Sequence, residues 1–317
     1  MALKYIFGPV MSGRLGRSLG LDLLGDRVCS MDCVYCEVGA TRELTETRRT
    51  YVPATELLDE LAQWKALGLD DPDMITLGGL GEPCLNAEMA EVIKGTRRLF
   101  PHTDIAVLTN ATMMTDPDVR RDLCLADVVL PSLDSLVDDE FAQVNRPCEG
   151  ISPQAVAEGL LEFKKEFNGN IFLEILLAEG INDSDENLEK LKIFCKRLAP
   201  DRVDVVTLTR PGTVKGVLPV DGEVLSRWRM ALGSGKTRST TRQASDHKEL
   251  SLEQVTSSIL ASINRRPQTA QQLADALNTD INRVREAVEA LTKEGDVTHR
   301  DDRGETFYHG TGHVIED

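Results

Sequence analysis

Residues 18–36, SLGLDLLGDRVCSMDCVYC, decide how this chain is read. Ser18 to Leu24 is an apolar run of β type closed by Gly25 and Asp26, and it predicts a strand. Cys29, Cys33 and Cys36 follow at once as a CxxxCxxC set, in the loop after a strand where a barrel gathers its site residues. Three thiolates on one tight loop can each ligate an iron of a [4Fe-4S] cluster, and a missing fourth protein ligand leaves one iron open to a small molecule. Structural zinc or inert thiols are the alternative, but zinc wants four ligands, usually as two spaced pairs. The next Cys or His here is Cys84.

Outward from that stretch, short apolar runs alternate with longer amphipathic ones. Strands are expected at Ser18–Leu24, Met74–Gly78, Ile105–Thr109, Asp127–Leu130, Ile171–Leu177 and Val203–Leu208. Helices are expected at Ala54–Ala66, Glu88–Leu99, Asp116–Cys124, Pro153–Phe167 and Asp185–Leu198, each opened by residues that suit a helix start. Repeated βα units give a parallel sheet with helices outside, here an α/β partial (β/α)6 TIM-like barrel over residues 1–232. A doubly wound sheet is the other architecture that this alternation allows, because periodicity does not reveal strand order.

After Arg210 and Pro211 the rhythm stops, and residues 233–250 read as a linker: GSGKTRSTTRQASDHKE holds no large aliphatic or aromatic residue. Its GSGKT is not a phosphate loop, which needs a glycine where Met230 stands and a strand before it. From 251 to 317, amphipathic segments at Leu252–Asn264, Thr269–Leu277 and Ile281–Glu294 precede VTHR, the turn Asp301-Asp302-Arg303-Gly304, and TFYHG. Three helices and a hairpin make a winged helix-turn-helix domain. That domain carries 7 Lys and Arg against 12 Asp and Glu, so docking to a protein or peptide is expected in place of DNA.

The whole chain has 317 residues and a formal net charge of -16, which repels nucleic-acid phosphates and anionic membranes. No window reaches 18 apolar residues and the start lacks a sustained apolar core, so a cytoplasmic location is expected. Seven cysteines in such a chain read as reduced thiols with chemical uses.

With the cysteine loop, the sequence resembles the radical S-adenosylmethionine (SAM) superfamily. Residues 76–86, TLGGLGEPCLN, are similar to the family's glycine and glutamate motif, which implies that Gly79, Gly81 and Glu82 receive the SAM amino group. By the same resemblance Thr109 and Asn110 in LTN, and Ser132 and Asp134 in PSLD, meet the cofactor, the last two at the ribose hydroxyls, and Tyr35 lies beside adenine. Helix capping by Thr109 or Ser132 and plain packing by Tyr35 are the alternatives. GRLGRSLGLDLL, CSMDCVYCEVG, ADVVLPSLD, NRP at Asn145, GIND at Gly180 and RP at Arg210 resemble the subgroup of the tRNA wybutosine radical enzyme and of uncharacterised iron-sulfur oxidoreductases. That tRNA enzyme has an upstream cysteine set for a second cluster, which is not found before Cys29.

The resemblance implies a [4Fe-4S] cluster and SAM as cofactors, a flavodoxin- or ferredoxin-like electron donor, cleavage of SAM to methionine and a 5′-deoxyadenosyl radical, and hydrogen abstraction from a small molecule, peptide or protein. RNA base modification and an iron-sulfur redox regulator reading DNA are the competing functions. Cys84 and Cys148 are candidate residues at the barrel mouth, against packed thiols; Cys124 and Cys195 are expected in the core. Glu174, a carboxylate among Phe172, Leu173 and Ile175, must be paired or line the barrel interior.

Overall fold

The computed structural model describes residues 3–12, 14–233, 252–277 and 279–311. In chain order the elements are β1 (Ile6–Ser12), β2 (Gly16–Asp22), β3 (Val28–Cys29), β4 (Glu43–Leu44), α1 (Ala54–Ala66), β5 (Met74–Gly78), α2 (Met89–Leu99), β6 (Asp104–Thr109), α3 (Pro117–Leu123), β7 (Val128–Pro131), α4 (Asp138–Asn145), α5 (Pro153–Glu166), β8 (Asn170–Leu177), α6 (Asp185–Leu198), β9 (Arg202–Thr207) and α7 (Gly222–Leu232). The remaining ones are α8 (Leu252–Ile263), α9 (Ala270–Leu277), α10 (Ile281–Glu294), β10 (Val297–Asp302) and β11 (Glu305–Gly310).

One sheet runs β1-β2-β5-β6-β7-β8-β9. From β2 to β9 every pairing is parallel and in chain order, so there is no point where the order reverses, and the doubly wound alternative is excluded. The sheet is an open arc of mixed α/β type, consistent with a partial barrel. The six expected strands are present, Met74–Gly78 with the expected ends and the others displaced by at most two residues. Strand β1, helix α4 and helix α7 carried no expectation. Strand β1 contains Gly8 and Pro9, which argue against a strand except at an edge, and an antiparallel edge with an irregularity between Phe7 and Val10 is what forms.

Strands β5 and β7 are buried throughout, as parallel strands covered on both faces must be. Strand β8 alternates: Ile171, Leu173, Ile175 and Leu177 are buried beneath the helices, whereas Phe172, Glu174 and Leu176 are half-buried on the inner face. Helices α5 and α6 start on Ser152 and Ser184, whose side chains accept from Ala155 and Asn187 backbone N–H groups. Helix α6 turns Leu188, Leu191, Phe194 and Leu198 into the core, each such burial contributing about 2 kcal/mol. Among the described residues no helix is long and apolar enough to cross a membrane.

The C-terminal residues form three helices and the hairpin β10–β11, closed by Arg303 and Gly304 at positive φ. Val255, Ile259, Ile263, Leu273, Val284, Val288 and Leu291 make their own core. The expected linker lies outside the described residues, except Gly233. This module sits against both ends of the arc. Helices α8 and α9 pack on β1; Arg265 donates to the Lys4 carbonyl at 3.0 Å and stacks 4.3 Å from the Phe7 ring. On the β9 side, Arg303 donates to the Leu208 carbonyl at 3.2 Å and Arg210 to Gln272 Oε1 at 3.3 Å.

Candidate active site

The cysteine loop opens from β3, at the C-terminal edge of the parallel sheet, and two segments hold it. The Cys148 N–H donates to the Ser30 carbonyl at 2.9 Å, and the Asp32 N–H to the Asn145 carbonyl at 3.1 Å. The Thr213 hydroxyl donates to the Cys36 carbonyl at 2.9 Å, and the Val214 N–H to the Val34 carbonyl at 3.1 Å. Gly212 permits this strap: a Cβ there would lie 2.7 Å from the Tyr35 Cα.

All three cysteines are half-buried by surface exposure and none is in a disulfide. Asn110 Nδ2 lies 3.4 Å from Cys29 Sγ, and Asn145 Nδ2 lies 3.4 Å from Cys33 Sγ, so two side-chain amides aim N–H groups at two sulfurs. Burial raises all three thiol pKa values: well above the ordinary range for Cys29, upward for Cys33, and up to about 11 for Cys36. Glu82 and Cys33 add to the rise at Cys29, as does Cys36 at Cys33. Ionised together in this place, three thiols would need a compensating positive charge. Among the described residues no group of three or more His, Cys, Asp or Glu could hold a single metal ion. Asn145 Oδ1, buried beside Cys33 without a hydrogen bond among the described residues, is a further polar atom at this place.

The glycine and glutamate motif is built inward. Glu82 is 2% exposed; its carboxylate accepts from Thr109 Oγ1 at 2.7 Å, the Asn110 N–H at 2.6 Å and the Cys84 N–H at 3.0 Å. Burial raises its pKa and these bonds oppose the rise. Gly81 is required by the protein itself, because a Cβ there would fall 1.8 Å from the Val28 carbonyl oxygen. Gly79, at φ +123°, would place one 2.7 Å from Asp22 Oδ1. Gly79 to Gly81 remain half-exposed.

Asp134 is 1% exposed. It accepts from Tyr35 Oη at 2.5 Å, Asn145 Nδ2 at 2.7 Å and the Leu176 N–H at 2.9 Å, while its backbone carbonyl accepts from Asn182 and Asn187. Burial raises its pKa against these bonds. Ser132, two residues earlier, is half-buried. The structure thus brings Cys29, Ser30 and Asn110 together at one side of the loop, and Cys33, Tyr35, Asp134 and Asn145 at the other. Asn145, Asn182 and Asn187 had no assigned role in sequence; the first two stand in NRP and GIND, motifs whose polar residue was visible without its partner.

Cys84 is fully buried, with Sγ 3.5 Å from Thr109 Oγ1, and is a packed thiol. Cys148 is half-buried next to the cysteine loop. Cys195 is buried, its thiol pushed up to about 12 by that burial, whereas Cys124 is half-buried, short of the core placement expected for it. Glu174 forms an ion pair with Arg14, from the β1–β2 turn, on the inner face.

The family model described as Radical SAM superfamily matches residues 26–191, just over half of the chain. A UPF0026 protein of Synechocystis is 36% identical over 65% of this chain and 76% of that protein. A Brachyspira hyodysenteriae protein named GTPase Obg is 31% identical over 93% of this chain, which spans only 43% of that protein's length. Among solved structures, a radical SAM methyltransferase from Sphaerobacter thermophilus is similar in fold, with TM-score 0.53 and 19% identity over 68% of this chain and 62% of that one. The cysteine loop, the parallel arc and the family match agree: this chain belongs to the radical SAM superfamily, whose enzymes use a [4Fe-4S] cluster and SAM.

Proposed function

We propose that the chain is a radical SAM enzyme in which Cys29, Cys33 and Cys36 hold the cluster and a small-molecule, peptide or protein substrate lies against the inner face of the arc. When bound, the cluster and SAM supply reductive cleavage of the sulfonium and a radical that removes hydrogen from the substrate. The observation that carries this reading is the pair of amide donors, Asn110 and Asn145, aimed at two of the three sulfurs. They would fix the loop and temper the charge on the ligands.

Among the SAM contacts, the half-exposed backbone of Gly79 to Gly81 would meet the amino group. The Glu82 carboxylate, occupied by Thr109 and Asn110, would act by setting those two residues. Ser132 would reach the ribose, and Asp134 would hold Tyr35 and Asn145 in place. Phe172, Leu176 and Leu108, half-buried on the inner face, would shield the reacting centre from water. We read residues 1–232 as the barrel, 233–250 as a linker and 251–317 as a winged-helix domain that docks substrate, with a flavodoxin- or ferredoxin-like donor and a cytoplasmic setting. The motif succession from GRLGRSLGLDLL to RP at Arg210 supports kinship with the wybutosine subgroup.

Anaerobic reconstitution with iron and sulfide, followed by dithionite and SAM, is expected to yield 5′-deoxyadenosine and methionine. A reconstituted protein that leaves SAM intact under reduction contradicts the proposal.

A further inference from the structure

Two guanidinium groups meet one carboxylate where the C-terminal module meets the arc, and a third, paired to a neighbouring carboxylate, feels its charge. Arg210 places Nη1 3.2 and 3.1 Å from the two oxygens of Glu37, the residue after Cys36. Arg266, in the segment between α8 and α9, lies 3.8 Å from the same carboxylate. Arg14 is near enough for Glu37 to stabilise its charge and for its own charge to oppose that of Arg266. Its direct partner is Glu174 on β8, which is paired in register with Asp204 on β9, and Asp204 in turn binds Arg202 at 2.8 Å.

Among the described residues, the ion pairs of this group set Arg14, Arg202, Arg210 and Arg266 against Glu37, Glu174 and Asp204, one more cation than carboxylate, in a chain whose overall charge is -16. Like charges brought together out of water cost energy unless an anion offsets them. Burial lowers the pKa of both Arg14 and Arg266, and Arg210 and Arg14 press that of Arg266 lower still. The group is nonetheless reachable: the Arg14 and Arg266 side chains are 35% and 34% exposed. It also borders the inner face, where Glu174 stands between the half-buried Phe172 and Leu176.

We propose that Arg14, Arg210 and Arg266 form a receptor for the oxyanion end of the substrate, a phosphate or a carboxylate group, with Glu37 as the internal competitor for the same donors. This rests on the reading of the chain as an enzyme whose substrate lies inside the arc. Guanidinium forks suit such a group because they give two parallel N–H bonds to planar or tetrahedral oxyanions. One receptor arginine comes from the C-terminal module, so that module completes the site as well as covering it.

The test is calorimetric titration of the full chain with inorganic phosphate, and separately with acetate, at constant ionic strength against chloride. Saturable binding of at least one is expected, and the tighter of the two identifies the oxyanion. Arg266→Gln and Arg14→Gln each weaken it about tenfold, the loss of one charged hydrogen bond. Glu37→Gln strengthens it, the opposite sign; this variant keeps every arginine and decides the matter if an arginine variant fails to fold. No saturable binding to the wild type, or weakening by Glu37→Gln, overturns the proposal. The titration needs neither SAM nor turnover, so its failure leaves the radical SAM reading intact, and a failed SAM-cleavage assay leaves the receptor intact.

Discussion

The Asn145 side-chain amide lies 3.4 Å from Cys33 Sγ, and the same nitrogen donates to Asp134 at 2.7 Å. An N–H aimed at a ligand sulfur favours the more electron-rich state of a cluster. Asn145→Leu is therefore expected to lower the cluster's reduction potential and slow SAM cleavage, read by a redox titration of the reduced-cluster signal. An unchanged potential would reduce Asn145 to a brace for Asp134 and Tyr35.

Two glycines with short contacts are expected to differ sharply. In Gly81→Ala the new Cβ meets the Val28 carbonyl, backbone that cannot give way, whereas in Gly95→Ala it meets the end of the Leu58 side chain, which can turn aside. Gly81→Ala should cost about 3 kcal/mol or prevent folding. Gly95→Ala, on helix α2, should stay within about 1 kcal/mol, its overpacking offset by better helix propensity. Urea denaturation of the two variants checks this.

Arg265 and Asp22 couple the modules in a pH-dependent way. Asp22 is 1% exposed; burial raises its pKa, while Arg265, 3.9 Å away, and three backbone N–H groups lower it. A carboxyl with a raised folded pKa contributes stability that is complete below its unfolded value, about 3.9, and is lost as pH rises through the folded value. Arg265→Gln removes a lowering charge and raises the Asp22 pKa further. Its cost is thus expected to be small near pH 4 and to grow toward neutrality, to about 3 kcal/mol. Denaturation midpoints across that range test the sign; a cost independent of pH would assign Arg265 to packing on Phe7 alone.

The parallel strands and the cysteine loop were legible because each rests on local pattern: apolar runs such as MITLG at 74–78, and three cysteines at fixed spacing. What stayed hidden depends on partners distant in sequence. Asp134 reads as a ligand-contacting carboxylate in PSLD, yet Tyr35, Asn145 and Leu176 surround it only after the chain folds. Glu82 is enclosed in the same way by Thr109 and Asn110. Strand β1 was concealed by Gly8 and Pro9, and nothing in a charge count shows Arg265 or Arg266 meeting Asp22 and Glu37.

Removal of residues 251–317 exposes the face of β1 on which α8 and α9 pack, and leaves Asp22 without Arg265. The truncated chain is expected to melt several degrees lower, since about 1 kcal/mol shifts the midpoint by about 2–4 °C in a chain of this size. Scanning calorimetry of both forms decides it; an unchanged barrel transition would make the module an independent appendage.

The central claim is tested most directly by iron and sulfide analysis with electron paramagnetic resonance of the anaerobically reconstituted chain beside its Cys29→Ala, Cys33→Ala, Cys36→Ala triple variant. The account predicts about four irons and four sulfides per wild-type chain, a reduced-cluster signal that changes when SAM is added, and neither in the variant. A wild type without that centre, or a triple variant that keeps it, would contradict the account.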